Sequence, residues 1–206
     1  MMTDINIRNT TLFISDICDR MNTFKIPHFQ RGYEWDVNDV LALLDSIKNG
    51  YPIGTIILWE TDTLDRDSDT WYNYVLDGQQ RLTTLSEVLC KANRWNIGYD
   101  LFLDEFRLLD DVNIYDCILP MDAILNTVPF LRFTRTISPE CDNYELYIER
   151  AQKIADKFRK LNVPIVQMHG GDLLDALTVF GRINKAGKPL SDELLSRIED
   201  LKGIIK

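Results

Sequence analysis

Residues 74–85 read Tyr74-Val75-Leu76-Asp77-Gly78-Gln79-Gln80-Arg81-Leu82-Thr83-Thr84-Leu85, an apolar strand that runs through a glycine turn straight into an amphipathic helix. The junction constrains the fold, because a strand feeding a helix through one glycine demands a sheet with a helix packed against it. It also constrains chemistry. The first turn of a helix leaves backbone N–H groups unpaired at the positive end of the helix dipole, an arrangement suited to phosphate. Gln79, Gln80 and Arg81 add amide and guanidinium groups at that spot, and the Arg81 fork matches two oxygens of a phosphate or carboxylate.

A chain of 206 residues with 45% hydrophobic content is long enough to bury a proper core. Its longest apolar runs, such as Ile56-Ile57-Leu58-Trp59, fall far short of the roughly 20 residues that span a bilayer. The opening Met1-Met2-Thr3-Asp4 begins no signal-peptide pattern, so the expectation is a soluble, cytoplasmic protein without membrane partners. Cys18, Cys90, Cys117 and Cys141 stand far apart with no C-x-x-C spacing, which predicts reduced, mostly buried thiols. His28 and His169 are the two histidines, and neither lies in a carboxylate–histidine cluster, so no protein-only metal site is expected. His28 reads as a packing or surface residue. The formal charge of −9 repels a polyanion, which argues against nucleic-acid binding through bulk electrostatics. A local basic groove for DNA, formed by Arg31, Arg81, Arg182, Lys185 and Lys188, stays compatible with that balance.

Along the chain, residues 5–22 read as a short strand and a helix capped by Ser15 or Asp16. Ile26-Pro27 reads as an edge strand or extended arm, since proline removes a donor and biases its predecessor toward β. Asp36 caps a helix bearing Val37, Val40, Leu41, Leu44 and Ile47, which Asn49-Gly50 stops. Residues 53–59 form a buried strand, residues 61–70 a hairpin-like loop, and residues 72–77 its partner strand. Beyond residue 100 the pattern turns mainly helical, clearest from Asn143 to Leu161, where Asp142 and Glu145 resemble a capping box. Residues 163–168 form a strand with Pro164 at its start or edge. Asp172 then caps a helix to about Ile183, residues 184–189 make a turn, and Ser191 caps a last helix carrying Leu194, Leu195, Ile198 and Leu201. The fold class is α+β: one domain over 1–206, with a mixed sheet gathering 26–29, 53–59, 72–77 and 163–168, flanking helices and a mainly helical insertion at about 100–161.

Four ordered segments carry a family resemblance. Ile26-Pro27-His28-Phe29-Gln30-Arg31-Gly32-Tyr33-Glu34-Trp35 resembles an I-P-x-[YF]-Q-R-x-Y-x-W opening, Tyr51-Pro52-Ile53-Gly54-Thr55-Ile56 the next block, and Asp77 to Leu85 a D-G-Q-Q-R-L-T-T-L core. Phe180-Gly181-Arg182-Ile183-Asn184-Lys185-Ala186-Gly187-Lys188-Pro189-Leu190-Ser191 is similar to an F-x-R-I-N-x-x-G-x-P-L-S element. Together they resemble domain-of-unknown-function family 262, the N-terminal domain of GmrSD-type type IV restriction enzymes. The resemblance implies a ParB/sulfiredoxin-like fold whose glycine turn holds a nucleotide or phosphate. Gly78 and Arg81 match the G-E-R-R element of ParB, while Gln79 stands where sulfiredoxin has its catalytic cysteine, so sulfiredoxin chemistry is not expected. It further implies hydrolysis of a nucleoside triphosphate, GTP or ATP with Mg²⁺, coupled to a separate HNH-type nuclease. Neither histidine here has an HNH setting, so a partner subunit would provide that half.

Within this frame Asp77, Gln79, Gln80 and Arg81 are the candidate catalytic residues. Gln30, Arg31, Gly78, Thr83, Arg182 and Asn184 are the candidate nucleotide-binding residues. Each has a plainer reading. Gly78 can simply allow a tight turn, Asp77 can cap the helix, and the glutamines can be a solvated first turn. Arg81 and Arg31 can be neutralised by Asp77 and Glu34. Tyr33 and Trp35 read as loop anchors, and Asn184 as a helix cap. Three functions follow from the sequence: an NTP-hydrolysing domain of a DNA-modification-dependent restriction or anti-phage system, a non-catalytic nucleotide or DNA sensor regulating a partner, and a ParB-like DNA-nicking nuclease.

Overall fold

The computed structural model describes residues 4–27, 29–61, 72–90, 94–109 and 117–185. It is an α+β structure with two sheets. The larger has the order β1 (Asn6–Phe13), β8 (Asn162–His169), β3 (Ile56–Thr61), β4 (Tyr72–Asp77) and β2 (Phe24–Lys25). β1–β8 and β3–β4 are antiparallel, whereas β3–β8 and β2–β4 are parallel. The smaller sheet places β5 (Ile97–Asp100) between β6 (Glu105–Leu108) and β7 (Ile118–Pro120).

Among the described residues six α-helices surround these strands: α1 (Ile14–Asp19), α2 (Val37–Asn49), α3 (Gln79–Leu85), α4 (Thr127–Thr134), α5 (Tyr144–Arg159) and α6 (Leu173–Lys185). None of the described helices is long and apolar enough to cross a membrane. Strand alternation divides the interior. Ile56, Leu58, Val75, Val163 and Ile165 point into a large core with α1, α2, α3 and α5, while Trp59, Leu76 and Met168 point the other way under Ala176, Leu177 and Phe180 of α6. The turn between β4 and α3 thus emerges where both layers end.

Several expectations are met and several corrected. Asp36 caps α2 by accepting from Asn38 N–H (2.8 Å) and Asp39 N–H (3.1 Å), and Gly50 ends it with φ of 73°. Asp172 and Asp175 exchange side-chain-to-backbone bonds at the start of α6. Ile26, Pro27 and Phe29 are not in the strand. The ladder uses Phe24 and Lys25, and the chain turns at Pro27, whose carbonyl accepts from Gln30 N–H (3.0 Å). β3 begins at Ile56 because Gly54, with φ of 82°, breaks the extended run before it. The strand in 5–22 proves to be the sheet's outer member β1, and Asp16 acts three residues into the helix start, accepting from Phe13 N–H (3.3 Å). The 100–161 segment is helix-rich but also contains β6 and β7, whose three or four residues are too few to announce themselves by periodicity. Asn143 stands at the N-cap of α5 and makes no side-chain cap bond, so the Asp142–Glu145 box does not form.

The cysteine expectation is overturned. Cys18 and Cys90 form a disulfide across a sequence separation of 72, with Cα atoms 5.2 Å apart, because α1 packs beside the π-helical turn Ser86–Cys90 that continues α3. Cys117 and Cys141 lie outside that bond and are half-buried. His28, the 62–70 loop and the last helix of the sequence reading fall outside the described residues.

Candidate functional site

Asp77 ends β4, Gly78 turns the chain with φ of 87°, and α3 starts at Gln79. That left-handed conformation is free only to glycine, so the tight turn and the helix start are one device. Leu82 N–H is bonded back to Gly78 O at 2.9 Å, and the N–H groups of Gln79, Gln80 and Arg81 precede this ladder.

Arg81 is held from three sides. Its Nη1 donates to Ile53 O (2.8 Å), and its Nη2 contacts Asp77 Oδ2 (3.1 Å). A Cβ on Gly54 would lie 2.3 Å from Nη1, so the guanidinium occupies space that only glycine at that position leaves open. Gly78 also lies close, its notional Cβ 3.3 Å from Nη2. The arginine keeps 19% of its side chain exposed and Asp77 keeps 36%, which leaves the pair at the edge of solvent rather than sealed in the core.

Above the turn lies the loop of residues 30–35, tied down by the two glutamines. Gln80 Oε1 accepts from Glu34 N–H (2.9 Å) and Trp35 N–H (3.2 Å), while its Nε2 donates to Gly32 O (3.1 Å). Gln79 Nε2 donates to Arg31 O (3.1 Å), and Gln30 Nε2 donates to Val75 O of β4. Tyr33 closes the loop's far end. Its hydroxyl pairs with Thr84 Oγ1 at 2.7 Å, and its ring stands 5.9 Å from that of Trp95. Burial pushes the Tyr33 hydroxyl above its ordinary value, so it stays a neutral partner of Thr84. Arg31 is half exposed and pairs with Glu34 at 2.9 Å.

The structure therefore brings Gln30, Arg31, Asp77, Gly78, Gln79, Gln80 and Arg81 into one neighbourhood. Thr83 lies half-buried in the same helix, one step from the Thr84 that anchors Tyr33. Arg182 and Asn184 sit on α6. Asn184 lies within α6, where its Nδ2 donates to Phe180 O one turn back (2.9 Å), and Arg182 is exposed. α6 reaches the loop through Phe180, whose ring is 5.1 Å from that of Phe29, next to Gln30. Both ion pairs weighed from the sequence, Arg81–Asp77 and Arg31–Glu34, are present. Gly54 and the Ile53 carbonyl were missed as site elements. Their signal was the Pro52-Ile53-Gly54 block, which resembles a family segment without containing any reactive side chain.

The profile described as "GmrSD restriction endonuclease, N-terminal domain" matches residues 14–197. The chain belongs to this family. A search of curated protein sequences finds no match. All four motif segments lie within the GmrSD N-terminal match, which connects the protein with restriction systems.

Proposed function

We propose that this domain binds a nucleoside triphosphate at the Asp77–Arg81 turn, hydrolyses it, and serves a DNA-modification-dependent restriction system alongside a separate HNH-type nuclease. The observation that carries the reading is the construction of the turn: a glycine-opened helix start, an arginine cradled beneath it, and a second arginine on a loop that two glutamines pin above it. Such a fixed set of donors is pre-organised for phosphate oxygens. The family's resemblance to ParB/sulfiredoxin-like proteins, with a phosphate-holding glycine turn, points the same way.

In this reading the N–H groups of Gln79 to Arg81 take the phosphate chain. Arg31, half exposed, leaves Glu34 to neutralise charge that develops on the terminal phosphoryl group. Gln80 positions the Arg31 loop, since both ends of its amide are engaged there. Gln79 uses its Nε2 for the loop and offers its carbonyl oxygen to the attacking water. Attack on the terminal phosphorus breaks the bond to the bridging oxygen and yields diphosphate nucleotide and inorganic phosphate. Asp77, whose Oδ2 meets Arg81, is the carboxylate of the turn that would help to hold a Mg²⁺ brought in with the nucleotide. Such an ion would supply charge neutralisation to the phosphates. Arg182 and Asn184 extend the site from α6, and Thr83 supports it from within α3.

The decisive measurement is phosphate release from GTP and ATP, with nucleotide affinity by calorimetry, for wild type and Arg81→Ala. Wild type turns over and Arg81→Ala does neither; absence of nucleotide binding by wild type sinks the reading. A second reading, a nucleotide sensor that regulates its partner without turnover, draws on the two ion pairs that already neutralise Arg31 and Arg81. Saturable binding without phosphate release selects it.

A further inference from the structure

β1 stands at the outer edge of the five-stranded sheet and pairs with β8 through eight successive residues without a register shift. A strand bonded on one side turns alternate N–H and C=O groups of its other side outward, and β1 has no further strand beside it among the described residues. All of Asn6 to Phe13 is exposed except the half-buried Leu12. Protein edges of this length are normally blunted by prolines, bulges or several charges. β1 contains no proline, no bulge, and Arg8 as its one charged residue.

The exposed apolar residues are placed symmetrically. Ile7, Asn9, Thr11 and Phe13 share one face by strand alternation, and Ile7 and Phe13 are 54% and 45% exposed. We propose that β1 is the surface through which two copies of this chain associate, their β1 strands running antiparallel about a two-fold axis at Thr10. A two-fold axis perpendicular to the sheet keeps each face on its own side and makes the contact isologous. Thr10 then faces the partner's Thr10, Ile7 faces the partner's Phe13, and Asn9 faces the partner's Thr11, each of the last two pairs occurring twice. Arg8 falls opposite the partner's Leu12, so the two arginines do not meet. This self-complementary order selects a second copy as the occupant. β1 is separated from β4 by β8 and β3, so the association leaves the Asp77–Arg81 turn open and does not rest on the nucleotide reading.

Light scattering across a concentration series tests the proposal on the full chain, with circular dichroism as the folding control. Each copy has a net charge of −9, so added NaCl strengthens the association by screening repulsion. Wild type moves from monomer to dimer mass, and Ile7→Lys raises the midpoint concentration by about tenfold or more with an unchanged spectrum. Thr10→Cys, with Cys117→Ser and Cys141→Ser removing the other thiols, gives a covalent dimer in oxidised glutathione that dithiothreitol dissolves. Each new sulfur–sulfur bond forms as glutathione disulfide is reduced to two thiols. A monomer at every concentration and salt level overturns the proposal. So does a dimer indifferent to Ile7→Lys, or failure of Thr10→Cys to cross-link.

Discussion

Two turns in this molecule are built from the same residue types, an aspartate beside an arginine, and they differ in how completely the aspartate is engaged. In the β5–β6 turn, Asp100 is 3% exposed. Its Oδ1 accepts from Phe102 N–H (2.9 Å) and Leu103 N–H (3.0 Å), and its Oδ2 meets Arg107 at 3.2 Å. Arg150 braces the same turn through Leu101 O (2.6 Å) and Phe102 O (2.9 Å). At Asp77 one carboxylate oxygen meets Arg81 and the group stays 36% exposed. A carboxylate enclosed and fully engaged serves the fold, whereas one left partly open beside unpaired helix N–H groups has capacity for a ligand.

The largest expected effect breaks the enclosed turn. Asp100→Ala strands the Arg107 guanidinium and two backbone N–H groups, a loss of about 3 kcal/mol, because removing one partner of a buried pair exposes the desolvation cost of the other. Urea unfolding measures it. Nucleotide affinity, measured where the variant is still folded, stays unchanged. Gly54→Ala gives the opposite profile. Its φ of 82° costs a side chain about 1–2 kcal/mol, and the new Cβ displaces Arg81 from Ile53 O. Stability falls less than in Asp100→Ala, but nucleotide binding is lost. Should Gly54→Ala bind as wild type does, the cradle beneath Arg81 is no part of the ligand site.

The contrast also explains which features could be read from the chain. α2 was legible to its ends because Asp36, the apolar steps and Gly50 act within a few residues of one another. The Asp77–Arg81 turn was legible for the same reason, as were the carboxylate partners of Arg81 and of Arg31 on the neighbouring loop. β2 and β5 to β7 are two to four residues long, and pairing with distant segments, not local pattern, makes them strands. The Cys18–Cys90 bond depends on α1 meeting the turn after α3, which no cysteine spacing encodes. The sequence offers the glutamines as ligand groups or as a solvated first turn, and their bonds to the 30–35 loop need the fold, since the two segments are more than forty residues apart in sequence.

The smallest effect sharpens the comparison within the enclosed turn. Asp104 has φ of 60°, accepts from the Tyr99 hydroxyl, and meets Lys48 at 3.4 Å and Arg150 at 3.8 Å. Burial alone would raise its carboxyl pKa, but Tyr99, Lys48 and Arg150 together hold it below the ordinary value of 3.8. The folded state therefore binds the Asp104 proton less readily than the unfolded chain does. Its contribution to stability is present above the ordinary carboxylate range and is lost as pH falls through the lowered folded value. Asp104→Asn keeps a residue that tolerates the left-handed backbone and removes the titration. Because 45% of the Asp104 side chain is exposed and salt screens such pairs, its stability deficit above pH 5 stays under about 1 kcal/mol. Urea titrations of both proteins from neutral to strongly acid pH should show the difference between them shrinking as pH drops below 3.8. A difference that stays constant across that range would mean that Asp104 acts through its backbone conformation and hydrogen bond rather than through its charge.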